Sequence, residues 1–173
     1  MLVGYKVRLR TMVTTDAESI LKIYDQGIQT GHGTFEAEVP DWHKCDSGYL
    51  TQCRWLAEED YTVLGWGALT QVSPRKVYSG MAEVSIYVSL NAQNQGIGSI
   101  LLERLIISSE ESGFWTLQAH VFPENKISIH VHEKHGFRKS GTRRQLALMS
   151  YGSMAGEWRD VVLMEDRSKI VGI

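Results

Sequence analysis

The chain has 173 residues, of which 43% are hydrophobic and 22% charged, and a formal net charge of −2. This length suits one domain spanning 1–173 with a sizeable core, and the slight acidity argues against wholesale nucleic-acid binding, which needs a clearly basic domain. No window approaches the about 18 apolar residues of a membrane span, MLVGYKVRLR lacks a continuous apolar signal region, and Cys45 and Cys53 form neither a disulfide framework nor a CxxC pair, so a cytoplasmic location is expected.

In chain order, Tyr5, Val7 and Leu9 alternate with Lys6, Arg8 and Arg10, the period of a half-buried strand. Thr15-Asp16-Ala17-Glu18 has the form of a capping box, and Ala17, Ile20, Leu21, Tyr24 and Ile28 make one helical face behind it. A thinner apolar pattern, Trp42, Cys45, Tyr49 and Leu50, predicts a second helix from Asp41 to Cys53. Arg54 to Glu58, Thr62 to Val72 and Ala82 to Leu90 read as strands. A helix follows over Ile97 to Ser112, stopped by Gly113, then a strand over Phe114 to Phe122 and a helix over Lys126 to His135, closed by Gly136. Strands near Phe137 to Gly141 and Trp158 to Met164 finish the chain. Helices interspersed with strands, several of them joined without a helix, predict an α/β layer on a mixed sheet.

The chemistry gathers around Asn91 to Leu105, NAQNQGIGSILLERL. In the strand before it, Val84, Ile86, Val88 and Leu90 face one way and Glu83, Ser85, Tyr87 and Ser89 the other. Gly96 and Gly98 then stand where a helix begins. A plain strand-to-helix turn is one explanation. The other is an anion held by bare amides at the positive end of the helix, where glycines let a phosphate reach the backbone.

Gln93-Asn94-Gln95-Gly96-Ile97-Gly98 matches the Q/R-x-x-G-x-G/A signature of the GCN5-related N-acetyltransferases, which the chain resembles from about Tyr5 to Met164. The AEVSIYV strand, IYDQGIQTGHGTFE, the Asn125-Lys126-Ile127-Ser128 stretch, His132-Glu133-Lys134-His135-Gly136-Phe137 and Gly156-Glu157-Trp158-Arg159-Asp160-Val161 together resemble the phosphinothricin acetyltransferase branch. The resemblance implies a largely antiparallel central sheet, helices on both faces, and a V-shaped split between two parallel strands that receives acetyl-CoA. It places the pyrophosphate on the amides of Gln95, Gly96, Ile97, Gly98 and Ser99, with Gln93 at the opening of that loop. The pantetheine arm would lie along Ile86, Tyr87 and Val88, and Asn125 would contact the cofactor, although a helix N-cap serves equally well for that residue.

The implied reaction is attack of a primary amine on the thioester, with no metal and no covalent nucleophile. Glu83 matches the branch's glutamate base, the alternative being a strand-end carboxylate in solvent. His132 stands where many members carry the tyrosine that protonates the departing thiolate; it is either a proton-transfer group or a packed helix histidine. At about 100° per residue His132 and His135 share a side while His130 points away, so only two metal ligands converge.

Acceptors in the branch are small amino acids such as phosphinothricin, methionine sulfoximine or sulfone, and arsinothricin, whose carboxylate calls for a fork-shaped cation. Arg75 and Tyr78 lie where the branch places acceptor contacts, and Phe35 could wall the pocket; for Arg75 a solvated turn after Pro74 is the alternative. One departure is QLALMSYGSMAGEW, Gln145 to Trp158, longer and richer in Gly and Ser than the usual connection. Branch members commonly dimerise through C-terminal strands, so a homodimer is expected. Two other functions fit the same fold: acetylation of protein N-termini or lysines, and non-catalytic acyl-CoA binding.

Overall fold

The computed structural model describes residues 7–173, so Tyr5 and Lys6 of the first expected strand lie outside the described residues. The elements run β1 (Arg8–Thr11), α1 (Ala17–Gln29), α2 (Trp42–Gly48), β2 (Trp55–Glu59), β3 (Thr62–Gln71), β4 (Met81–Val88), α3 (Ile97–Glu111), β5 (Thr116–Val121), α4 (Lys126–Lys134), β6 (Arg138–Leu148) and β7 (Trp158–Arg167). They build a seven-stranded sheet in the order β1-β2-β3-β4-β5-β7-β6. All neighbours are antiparallel except β4 and β5.

The parallel pair is short. Only Met81, Ala82 and Glu83 pair, opposite Thr116, Leu117 and Gln118. Its lower end is pinned where Trp115 and Thr116 donate backbone hydrogen bonds to the Gly80 carbonyl at 2.8 and 3.1 Å. A Cβ on Gly80 would sit 2.0 Å from the Trp115 ring, so the close approach requires glycine. Beyond Glu83 the strands part, β4 continuing along β3 to Val88 and β5 along β7 to Val121.

Each face of the sheet is covered by the residues that alternation sends to it. Ala82, Val84, Leu117, Ala119, Val162 and Met164 bury against Leu102 and Leu105 of α3. On the other face Ile20, Ile23, Tyr24 and Ile28 of α1 and Cys45 of α2 pack on Leu56, Trp66 and Ala68. Tyr87 of β4 joins them, stacked on Trp66 with centroids 4.9 Å apart. Among the described residues no helix is long and apolar enough to cross a membrane.

Three boundaries differ from the sequence reading. The cap of α1 is not Thr15: one 3-10 turn, Thr14–Asp16, precedes the helix, and the Asp16 carboxylate accepts from Val13 N at 2.8 Å and from both Arg10 terminal nitrogens at 2.8 and 2.7 Å. Helix α2 stops at Gly48 because Tyr49 turns extended, leaving Leu50 N free to donate to Leu69 O at 2.8 Å. Strand β6 runs to Leu148, well past Gly141. Two register breaks and Gln145 at φ +47° erase the alternation by which a strand is recognised, since the extra residues of a bulge shift which face each side chain takes.

The Asp16 cluster carries a pH dependence. Hydrogen bonds from Arg10 outweigh burial and hold the Asp16 carboxyl below the usual carboxylate range. Its folded value is depressed, so the stabilisation is present above the unfolded value and is lost as pH falls through the folded one. Asp16→Asn is expected to cost about 1–2 kcal/mol near pH 7 and progressively less in acid; urea unfolding at pH 7 and pH 3 checks it, and an equal loss at both would contradict it.

Candidate active site

Where β4 and β5 separate, a cleft of about 600 Å³ opens. Its walls are the freed edge of β4 from Glu83 to Val88, Ala119 to Phe122 at the end of β5, the starts of α3 and α4, and the loop after α1.

One end is the start of α3. Gly96 is its N-cap in the left-handed region, φ +80°, a conformation that glycine adopts without strain. Gly98 is different, because its φ is not positive and it sits inside the helix. A Cβ there would meet only Val88 Cγ2, at 3.8 Å. Glycine inside a helix costs up to about 1 kcal/mol relative to alanine, and nothing in the chain itself requires it. The space is left toward the cleft. Gln93, Gly96, Ile97, Gly98 and Ser99 all line it. Gln95 does not; its side-chain amide folds back onto Asn91 O at 3.0 Å. Ser99 Oγ also bonds His135 Nε2 at 2.6 Å, tying α3 to the end of α4.

The middle is the open edge of β4. Ile86, Tyr87 and Val88 line the cleft there, and with β5 gone this edge can pair with an extended ligand as another strand would. Asn125 lines the cleft while capping α4, its Oδ1 accepting from Ser128 N at 3.1 Å. Both of the roles open for it in the sequence are compatible with this placement.

The apex holds Glu83, on the α1 side of the sheet. Its Oε2 accepts from Gln118 Nε2 and from His120 Nδ1, each at 2.9 Å. Burial alone would raise the Glu83 pKa, but those two hydrogen bonds, with the charges of His120 and Arg143, outweigh it and hold the carboxyl below its ordinary range. The group is therefore ionised throughout the neutral range, and is no idle carboxylate in solvent. His120 and Gln118 are site residues that the sequence reading did not single out.

His132 is buried, 6% exposed, and lines the same cleft. Its Nδ1 lies 2.8 Å from Ser128 O and so carries the hydrogen, leaving Nε2 as a buried lone pair without a partner among the described residues. Burial lowers its pKa, helped by nearby His135 and opposed by the Ser128 bond. A neutral ring in this tautomer accepts at Nε2; to protonate a thiolate it must first take up a proton. His130, on the same helix, is exposed.

The far wall is the loop from Thr30 to Glu36, and it is tied down. Arg159 Nη1 donates to Gly31 O at 3.1 Å, Arg159 Nη2 to His32 Nδ1 at 3.1 Å, Asn125 Nδ2 to His32 O at 3.3 Å, and Tyr151 hydroxyl to Thr34 O at 2.7 Å. Phe35 lines the cleft, edge-on to Phe122 with ring centroids 4.8 Å apart. The long Gly/Ser-rich connection thus contributes Tyr151, and Arg159, buried at 2% exposure with its guanidinium over Phe122, holds the loop rather than the solvent.

Arg75 and Tyr78 are not brought to this cleft. They lie exposed in the β3–β4 connection, the guanidinium 5.4 Å from the Tyr78 ring, because proximity to Glu83 in sequence is spent on a turn that leads away from the split. Among the described residues lining the cleft none is Lys or Arg; around the apex its polar side chains include Tyr24, Tyr49, Tyr87, Ser85, Thr70, His32, His120, His132 and the carboxylates of Glu36 and Glu83. Burial raises the pKa values of Tyr24, Tyr49 and Tyr87, so these phenols remain hydrogen-bond donors.

A long split edge, a helix start with glycine at positions 96 and 98 and an ionised carboxylate at the apex fit a group-transfer enzyme. The family comparison agrees, the Acetyltransferase (GNAT) family model matching residues 19–137. The chain belongs to that family and is an acetyl-transferring enzyme. It is 31% identical over 167 residues to a phosphinothricin N-acetyltransferase of Alcaligenes faecalis, covering 91% of this chain and 80% of that one. It is 26% identical to an L-methionine sulfoximine/L-methionine sulfone acetyltransferase of Pseudomonas aeruginosa, over 91% and 92% of the two chains. Among solved structures, a phosphinothricin acetyltransferase of Sinorhizobium meliloti in complex with AcCoA superposes with a TM-score of 0.84 at 25% identity, covering 96% of this chain and 90% of that one.

Proposed function

We propose that this protein transfers the acetyl group of acetyl-CoA to the primary amine of a small amino-acid analogue of the phosphinothricin, methionine sulfoximine or sulfone, or arsinothricin type. The observation that carries the reading is the alignment, in one cleft, of the Gly98 space at the start of α3, the unpaired β4 edge and the Glu83 carboxylate. Amides of Gly96 to Ser99 would take the diphosphate, Gln95 lying off the cleft, and Ile86 to Val88 the pantetheine amides. The ammonium form of the acceptor pairs with Glu83, which takes its proton directly or through water. The free amine forms the N–C bond as the C–S bond breaks, and the proton that the new amide nitrogen sheds goes to the departing thiolate. Such proton transfer by a positioned group contributes about 10²- to 10⁴-fold, the rest coming from orientation and from donors at the oxyanion.

The tethered Thr30–Glu36 loop supports a small acceptor over a peptide, since a peptide needs an open groove. With no Arg or Lys among its described lining residues, the cleft is suited to hold the acceptor's polar side group by phenol and hydroxyl donors. We also infer a homodimer through β6, an edge strand exposed along nearly all its length with Leu146, Leu148 and neighbouring Trp158 at 42%, 51% and 58% exposure; sedimentation velocity would read it.

The test is thiol release from acetyl-CoA against a panel of amino-acid analogues. Turnover is expected on at least one of the phosphinothricin, sulfoximine or sulfone compounds. Tight acetyl-CoA binding without release for any amine would replace this reading with a binding module, and release only with peptides would replace it with a protein acetyltransferase.

A further inference from the structure

His120 belongs to β5 and points to the same side of the sheet as Gln118, two residues earlier. Gln118 is the last β5 residue paired with β4, opposite Glu83. His120 therefore sits just past the fork, on the face of the sheet where Glu83 stands. The imidazole spans the widening gap and places Nδ1 2.9 Å from Glu83 Oε2. Because Glu83 is ionised, Nδ1 carries the hydrogen and donates.

The other nitrogen reinforces the argument. His120 Nε2 is buried with no hydrogen-bond partner among the described residues. A valine or leucine would fill a β5 position without leaving a polar atom unsatisfied, so the imidazole costs stability at this place. What it supplies in return is one contact, the hydrogen bond to Glu83. Both donors converge on Oε2, and among the described residues no protein group donates to Oε1.

We propose that His120 is a positioning residue for acetyl transfer: with Gln118 it occupies Oε2 of Glu83 and fixes the carboxylate so that Oε1 alone is presented to the acceptor ammonium. This rests on the proposed reaction for its kinetic consequence, though not for its structural one. The groups that bear on Glu83 are Gln118 and His120 of β5, Arg143 of β6, Thr70 opposite it on β3, and Tyr49 and Glu36 lining the same cleft.

Two variants separate positioning from packing. His120→Leu keeps bulk and removes the donor; His120→Asn keeps a donor near the place of Nδ1. For the leucine variant kcat is expected to fall about 10- to 100-fold, as when the orienting partner of a site residue is lost, with KM for the acceptor changed little. The acid limb of kcat/KM moves to higher pH, because a carboxylate that loses a donor holds its proton more tightly. The asparagine variant is expected to return kcat to within a few-fold of wild type and the limb to its original place. A leucine variant with wild-type kcat and limb overturns the proposal, and so does an asparagine variant as slow as the leucine one with the limb unmoved. ¹³C NMR titration of the Glu83 carboxyl, assigned through Glu83→Gln and measured without substrates, decides the point independently of turnover. A midpoint that does not rise in His120→Leu overturns the positioning role, whereas a wild-type protein that binds acetyl-CoA and transfers nothing overturns the proposed reaction instead.

Discussion

Glu83→Gln is expected to lower kcat about 10²- to 10⁴-fold at pH 7 while leaving acetyl-CoA binding and thermal stability nearly unchanged. Glutamine has the same shape and its carbonyl can still accept from Gln118 or His120, so the loss measures charge and proton affinity rather than packing. The pH dependence has a definite sign. In the wild type the hydrogen bonds from His120 and Gln118, outweighing burial, keep the carboxyl below its ordinary range. The ratio of wild-type to variant kcat/KM should therefore be largest and level above about pH 5, and should shrink in acid as wild-type Glu83 protonates and comes to resemble the amide. A variant with wild-type turnover would remove Glu83 as the proton acceptor. A constant ratio down to acid pH would assign its role to binding alone.

How far this site could be read from the chain depends on whether its parts lie along one strand-loop-helix or across the sheet. Glu83, Ile86 to Val88, Gln93 and Gly96 to Ser99 follow one another through β4, the loop and α3, and alternation alone gives the face on which Glu83 stands. His132 is announced by its place in α4. His120 is not, because its meaning comes from the register of β5 against β4, a pairing between segments 35 residues apart at Glu83 and Gln118. The only signal was that Leu117, Ala119 and Val121 alternate with two polar residues in a strand buried within the sheet. Arg159 stands in the sequence only as one residue of Gly156-Glu157-Trp158-Arg159-Asp160-Val161, with nothing to announce that it is enclosed by Glu124, His32 and the Phe122 ring. Arg75 fails in the opposite way. Eight residues before Glu83, it is near the site in sequence, but the Lys76–Tyr78 turn carries it to the surface. Strand β6 was hidden for a third reason: its register breaks shift the side chains between faces, and with nearly every residue exposed it has no buried face to mark the alternation.

Gly98 is where stability and function should part. It occupies the second position of α3 with an ordinary helical φ, so a side chain there meets no backbone strain. Its Cβ would face the cleft with Val88 Cγ2 at 3.8 Å, ordinary contact distance. Gly98→Ala is therefore expected to stabilise the protein by up to about 1 kcal/mol, from the helix propensity of alanine, and to weaken acetyl-CoA binding about tenfold by holding the diphosphate off the amides. Gly98→Glu carries the argument further. A carboxylate at a helix start is favourable in the empty protein, where it meets the positive end of the dipole. It would occupy the anion's own place, and the affinity for acetyl-CoA should fall more than about 100-fold, near 3 kcal/mol. Thermal unfolding without ligand and calorimetric titration with acetyl-CoA measure the two effects separately. If instead both substitutions destabilised the empty protein and left affinity unchanged, Gly98 would serve the turn, and the anion site would have to lie elsewhere in the cleft.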